Sequence, residues 1–328
     1  MVRRRTALGW IVAPIVGAGT GSFAQQSAGA HIIGLLRLGS ATSESPWLDA
    51  FRQGLKDNGL VENSDVRLIM RYADNQPERL VDLARELVKE RCQLIVATGT
   101  TSVRAAKDAA PDTPIVMAGS ADPVEMGFAR SLAQPGGRIT GISVYGAELV
   151  AKQLQILKEA VPSARTIAAF LQAANPGNAV IRQNLENGAR TIGLRVAIHE
   201  IEGVGRFAAA FEWARQQAPD AVYVVTDPVF IAHNRTIFKL AIDHRLPTMT
   251  GTLSSVQVGA LLAYSIDINA IARRTGYYIK QILRGIDPGS LPIEQPTEVS
   301  LAVNLATARA LGIRLPIALL ARSTIVLE

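Results

Sequence analysis

Two stretches decide how this chain is read: LIVATGTTSVRAAKDAAPDTPIVMAGS at 94–120 and VYVVTDPVFIAHNRTIFKLAIDHRLPTMTGT at 222–252. Each is an apolar run ending in threonine, then a polar loop, a helical pattern, a proline, a second apolar run and a glycine. Thr98 matches Thr226, Pro114 matches Pro247 and Gly119 matches Gly251. A short apolar run bounded by turn residues reads as a buried strand, and the longer periodic segment between two such runs as a helix. Each stretch is therefore a β-α-β unit, and the pair predicts two lobes of one architecture.

The same alternation extends outward. HIIGLLRLG, DVRLIMRYA, TIAAFLQ and RVAIHEI read as strands. PWLDAFRQGLKDNGL places Trp47, Leu48, Phe51 and Leu55 on one helical face, and PERLVDLARELVKE starts a helix with proline at its first position. PVEMGFARSLAQPGG reads as a helix ending in a turn. Strands alternating with helices predict an α/β chain whose parallel sheets are covered on both faces. Ligands of such sheets sit outside the carboxyl ends of the strands. That puts the hydroxyl-rich TGTTS at 98–102, with GSADP and TDP, on the functional edges, where helix N-termini favour an anion such as a carboxylate. N-capping is the plain structural role for Thr100 and Thr101.

The 328 residues are 48% hydrophobic, enough for about two domains. Arg3, Arg4 and Arg5 precede a short apolar stretch, Ala7 to Ala18, and a small-x-small site at Ser22-Phe23-Ala24. This predicts a signal peptide over 1–24, cleaved after Ala24, and a periplasmic destination. Those residues hold three arginines and no acid, so cleavage lowers the net charge from +6 to +3. No basic-aromatic pattern remains, which argues against nucleic acid as a partner. The single cysteine, Cys92, permits no intramolecular disulfide and reads as a buried thiol.

Catalytic signatures are missing from the sequence. There is no phosphate loop and no G-x-S-x-G elbow. His31, His199, His233 and His244 lack metal-ligand spacing, so neither a metal nor a cofactor is expected. Asp122 and Asp227 each end a strand before a proline. In one cleft they could form an acid–base pair, as in a hydrolase or isomerase, but no nucleophile supports it. Asp122 reads rather as a cap, and Asp227 as a ligand contact.

SADPVEMGFARSLAQPGGRITGIS, with Asp122-Pro123-Val124, Pro135-Gly136-Gly137 and Thr140-Gly141, resembles the ABC-transporter substrate-binding protein family that includes tryptophan- and tyrosine-binding members. Ser45-Pro46 with Leu48-Asp49, and Asn304, Ala308, Leu311 and Gly312, extend the similarity from about Ile32 to Pro316. The resemblance implies a type I periplasmic-binding-protein fold: two doubly wound parallel-sheet lobes joined by a three-crossing hinge. It places the N-terminal lobe at 31–145 plus 256–290 and the C-terminal lobe at 146–255 plus 291–328. Crossings are expected near Gly146 and Ser255, with GALLAYSID returning to the first lobe.

Carried over by position, the ligand loops fall at Ser40 and Ser45, at Thr98, Gly99, Thr100 and Thr101, at Ser120 to Asp122, and at Asn175 and Asp227. Tyr264 lies on the hinge-proximal strand, and Tyr145, Tyr264 and Phe230 offer rings for stacking. The chain departs from the family pattern at Ser45-Pro46, Asp227-Pro228 and Tyr264-Ser265, all on ligand loops. The expected function is capture of a small carboxylate, an aromatic acid or amino acid, for an ABC importer permease by a monomer. A ligand-sensing partner of a signalling receptor is the alternative on the same fold.

Overall fold

The computed structural model describes residues 30–41, 45–144, 146–296 and 298–328. The predicted signal peptide and Tyr145 lie outside the described residues. The first half runs β1 (His31–Arg37), α1 (Ser45–Asp57), β2 (Val66–Tyr72), α2 (Leu80–Lys89), β3 (Leu94–Thr98), α3 (Gly99–Ala109), β4 (Ile115–Ala118) and β5 (Ile139–Ile142). These strands form one parallel sheet ordered β2-β1-β3-β4-β5.

The chain continues with α4 (Ala147–Ala160), β6 (Thr166–Gln172), α5 (Asn178–Thr191), β7 (Arg195–Ile201), α6 (Phe207–Gln216), β8 (Ala221–Val224), α7 (Pro228–Ala232), α8 (Asn234–Asp243) and β9 (Thr248–Thr250). It ends with β10 (Leu262–Ile266), α9 (Ile268–Leu283), β11 (Val299–Asn304), α10 (Leu305–Leu311), α11 (Ile317–Ala321) and β12 (Ile325–Leu327). The second sheet is ordered β12-β11-β10-β9-β8-β6-β7, parallel except where β11 runs against β10.

Alternation along each strand sends side chains to opposite faces, so each sheet carries helices on both sides. In the first lobe Ile33, Leu35, Phe51 and Ile271 pack under α1 and α9, while Leu36, Leu80 and Val103 pack under α2 and α3. In the second, Leu154, Leu185 and Tyr223 fill one face and Phe170, Phe211 and Phe238 the other. Each such fully buried side chain contributes about 1.5–3 kcal/mol. Helices α1 and α9 meet at Gly54 and Gly276, where either Cβ would fall within 2.2 Å of backbone oxygen. That approach holds the N-termini of both helices at the same end of the sheet.

Two expectations are corrected. Strand β10 does not return to the first lobe: Leu262 pairs with Met249 of β9, and Ala263 lies between Thr250 and Ala302 of β11. The second crossing is therefore at Asp267, not near Ser255, and α9 is the element that rejoins the first lobe. The third crossing comes after Glu294, whose N–H donates to Gly141 O at 2.9 Å, so 291–294 also stays with the first lobe. The second correction is local. Residues 123–137 form turns rather than a helix. Asp122 caps the first turn, Phe128 N donates to Pro123 O, and Arg130 N donates to Pro135 O, which folds the segment back on itself.

Candidate functional site

The carboxyl ends of β1, β3 and β4 in one lobe face those of β6, β8, β9 and β10 in the other across a cavity of about 550 Å³. The open-sheet rule asks for this position. Three first-lobe helices, α1, α3 and α9, bring their N-terminal residues to the wall. Their helix dipoles bring positive partial charge to that wall, while Asp267, which also lines it, caps α9 with its Oδ1 accepting from Asn269 N at 2.8 Å.

Thr98, Gly99, Thr100, Thr101 and Ser120 all line the cavity. Gly99 opens α3 at φ +77°, and its N–H donates to Gly119 O at 2.8 Å. Thr100 Oγ1 accepts from Ala121 N at 3.0 Å, so its hydroxyl ties the β3–α3 loop to the loop after β4. Ser120 Oγ donates to Ala121 O at 2.9 Å. Thr98 sits at the N-cap position of α3 without a side-chain cap bond. The hydroxyls thus brace two adjacent loops and face the cavity at once.

Asn175 and Asp227 face them from the second lobe. Apolar β8 ends in Thr226 and Asp227, and Asp227 caps α7, with Pro228 at the first helical position. Its Oδ1 accepts from Val229 N at 2.9 Å and its Oδ2 from Asn175 Nδ2 at 3.1 Å. Asn175 Oδ1 in turn accepts from Gly177 N at 2.9 Å. Asp227 is 1% exposed, and burial pushes its carboxyl up to about 6 against the pull of those two donors.

Other expected residues are placed elsewhere. Asp122 is half-buried outside the cavity wall, its Oδ1 accepting from Val124 N at 2.9 Å and Glu125 N at 3.2 Å. It is not paired with Asp227 across the cleft. Ser40 lies beside lining Gly39 without itself lining the cavity, and Ser45 opens α1 next to lining Pro46 and Trp47. Tyr264 packs against the second-lobe core, while its neighbours Ser265 and Ile266 reach the wall. Phe230 is buried against Phe207, with ring centroids 5.8 Å apart.

Several wall residues were not anticipated. Gln153 of α4 is fully buried; its Nε2 donates to Tyr264 O at 2.7 Å and its Oε1 accepts from the Tyr223 hydroxyl. Thr226 and Thr252 lie beside it, 3.4 Å apart between hydroxyl oxygens. Arg37 ends β1, with its guanidinium carbon 3.9 Å from the centroid of the Trp47 ring. The available signal for Arg37 was a charged residue closing an apolar strand at the functional edge. Trp47, at helical spacing with Phe51 and Leu55, reads simply as core.

Comparison with known proteins agrees with this architecture. A family model described as "ABC transporter substrate binding protein" matches residues 40–327. A tyrosine-binding protein of Clostridioides difficile strain R20291 is 26% identical over 275 residues, 83% of this chain and 79% of that one. Among solved structures, a conserved domain protein from Vibrio cholerae O1 biovar El Tor superposes with a TM-score of 0.85 at 24% identity, covering 90% of this chain and 99% of that one. A Streptococcus pneumoniae ABC domain in complex with L-Trp gives a TM-score of 0.84 at 22% identity, covering 91% and 100%. The fold is that of the type I periplasmic binding proteins.

Proposed function

This chain belongs to the ABC transporter substrate-binding protein family, and we propose that it is an exported binding protein that captures a small carboxylate for an ABC importer. The observation that carries this reading is the interlobe cavity, walled by strand ends of both sheets. A ligand there touches both lobes only when they are closed, so its differential affinity for the closed state drives hinge closure. Hydroxyls and helix N-termini of the first lobe face one end of the ligand; Asn175 and Asp227 face the other.

Relatives that bind tyrosine and L-Trp favour an amino acid or aromatic acid as the ligand class. The reading is of a binder rather than a catalyst: Asp122 is engaged as a turn cap outside the cavity wall and Asp267 as the cap of α9, each accepting from backbone N–H groups. Export follows the predicted signal over 1–24, with Gln25 as the first mature residue, and a permease is the partner to which the closed monomer would deliver. Among the described residues no helix is long and apolar enough to cross a membrane.

The test is a melting-temperature screen of the chain from Gln25 against amino acids, aromatic and aliphatic carboxylates, sugars and polyamines. A ligand at a hundred times its dissociation constant adds about 2.7 kcal/mol to stability. Carboxylates or amino acids should give the largest shifts. A shift confined to sugars or polyamines, or a flat screen on protein shown by mass spectrometry to be empty, overturns the reading.

A further inference from the structure

We infer that Arg37 holds the ligand's carboxylate by charge, with Trp47 as the shelf that keeps the guanidinium in the cleft. The first lobe then takes the anionic end of a monocarboxylate and the isoleucine-rich wall takes its apolar body. The inference rests on the reading of the cleft as a ligand site given above.

Three observations carry it. The first is placement. Arg37 is the last residue of β1 and pairs in register with Thr98, the last residue of β3. Strand alternation puts its side chain on the face of Ile33 and Leu35, the face that α1 covers. The side chain therefore runs towards Trp47 at the start of α1, and both residues line the cavity.

The second is fixation. The guanidinium lies 3.9 Å from the Trp47 ring centroid, the geometry of a cation–π contact. Trp47 is only 7% exposed and stacks on Phe51 one helical turn on, with centroids 5.3 Å apart and planes at 12°. The shelf is locked into the lobe core, so the guanidinium's plane is set before a ligand arrives. A flat fork of donors held in one orientation matches a carboxylate's two oxygens.

The third is charge count. Among the described lining residues Arg37 is the only cationic side chain. Asp227 and Asp267 line the same cavity, so one guanidinium leaves no positive surplus for the double charge of a phosphate monoester, and a singly charged carboxylate is the anion it matches. Beside the hydroxyls and amides already described, the wall carries an aliphatic patch, with Leu149, Ile181 and Ile231 from the second lobe and Ile268 and Ile271 from α9. An apolar body suits that patch.

The experiment uses the chain from Gln25 and three probes with one phenol ring: L-tyrosine, 3-(4-hydroxyphenyl)propanoate and tyramine. They carry both charges, the carboxylate alone and the ammonium alone; benzoate and phenylacetate widen the carboxylate series. Isothermal titration should find binding among the carboxylates and none for tyramine. Arg37→Gln should weaken every carboxylate that binds by about tenfold or more, the range of a charged hydrogen bond. Arg37→Lys should recover part of that loss, and Trp47→Leu, which keeps the cation and removes its shelf, should fall between.

Carboxylate binding unchanged in a folded Arg37→Gln variant overturns the inference and leaves the binding-protein reading standing. Tyramine binding as tightly as L-tyrosine overturns it on the wild-type chain, whatever the variants do. A wild-type chain that binds no carboxylate of the series removes the cleft reading, and this assignment with it.

Discussion

Gly177 of the second lobe lies against Thr100 of the first. A Cβ built on Gly177 would stand 3.5 Å from Thr100 Cγ2, 3.5 Å from Ala121 Cβ and 3.1 Å from Asn175 Oδ1. The glycine thus brings backbone of one lobe to the lip of the other, and its own N–H is held by Asn175. A single methyl fits there with small shifts, but a branched side chain does not. Gly177→Val should keep each lobe folded, widen the cleft and weaken ligand binding, because closure would have to compress the new side chain against α3. Small-angle scattering should give a larger radius of gyration for the variant with ligand present. An identical radius and identical affinity would show that the lobes do not close on this contact.

The α1–α9 contact makes a second prediction. A Cβ on Gly54 would lie 2.1 Å from the Arg273 carbonyl oxygen and 2.7 Å from Arg273 Cα. Backbone cannot step aside as a side-chain tip can, so the two helices must separate. Gly54→Ala should therefore lower stability by about 1–3 kcal/mol or more, the range for overpacking a tight site. Gly205→Ala is the control, since nothing lies within 4 Å of a Cβ there. Urea midpoints that fall equally in both variants would remove the packing explanation.

The alternation of strands and helices was legible because each buried strand is an apolar run closed by Thr, Gly or Pro, a local signal. What local signals do not contain is the partner of a strand. LLAYSI reads as β structure from its composition, but only hydrogen bonds to β9 and β11 decide that it stays in the second sheet. Residues 123–137 misled for the opposite reason. Met126, Phe128 and Leu132 carry apolar spacing, yet Asp122, Gly127 and the Pro135-Gly136-Gly137 turn favour capped turns over a helix. In the site, the polar loops at 98–101, 175 and 227 were visible as departures from apolar pattern. Trp47 was hidden because it obeys the apolar pattern of its helix face, and Arg37, though a charge closing an apolar strand, gives no local sign of what it meets. Their meeting is a property of how α1 crosses β1.

Cys92 gives a chemical readout of the first-lobe core. It is buried beside Gly34, and burial together with Glu90 pushes its thiol up to about 11. The thiolate is the reactive form, so almost none is present at neutral pH. The folded chain should react with a thiol-specific disulfide reagent far more slowly than the same chain in denaturant. Gly54→Ala, if it loosens the α1–α9 side alone, should leave Cys92 protected on the opposite α2 face. Rapid labelling of the native wild type would contradict the packing described around Gly34, Leu87 and Cys92.

Asp227 ties the site to pH. Burial raises its carboxyl from 3.8 in the unfolded chain to about 6 in the fold. For an acid with a raised folded value, folding favours the protonated form. The stabilising contribution is complete below about pH 3.8 and is lost as pH rises through about 6. By pH 8 the buried charge leaves the unliganded chain less stable, by about 3 kcal/mol, than one whose residue 227 does not titrate. Asp227→Asn keeps an oxygen for the Val229 N–H but sets an amide against Asn175 Nδ2, a cost that does not change with pH. The difference in melting temperature, variant minus wild type, should therefore increase from pH 4 to pH 8, with most of the change between about pH 4 and 6 and little above pH 7. Parallel curves across that range would mean that the Asp227 carboxylate is not desolvated in solution, and that the second-lobe wall of the cleft is wetter than the packing around Val229 and Asn175 implies.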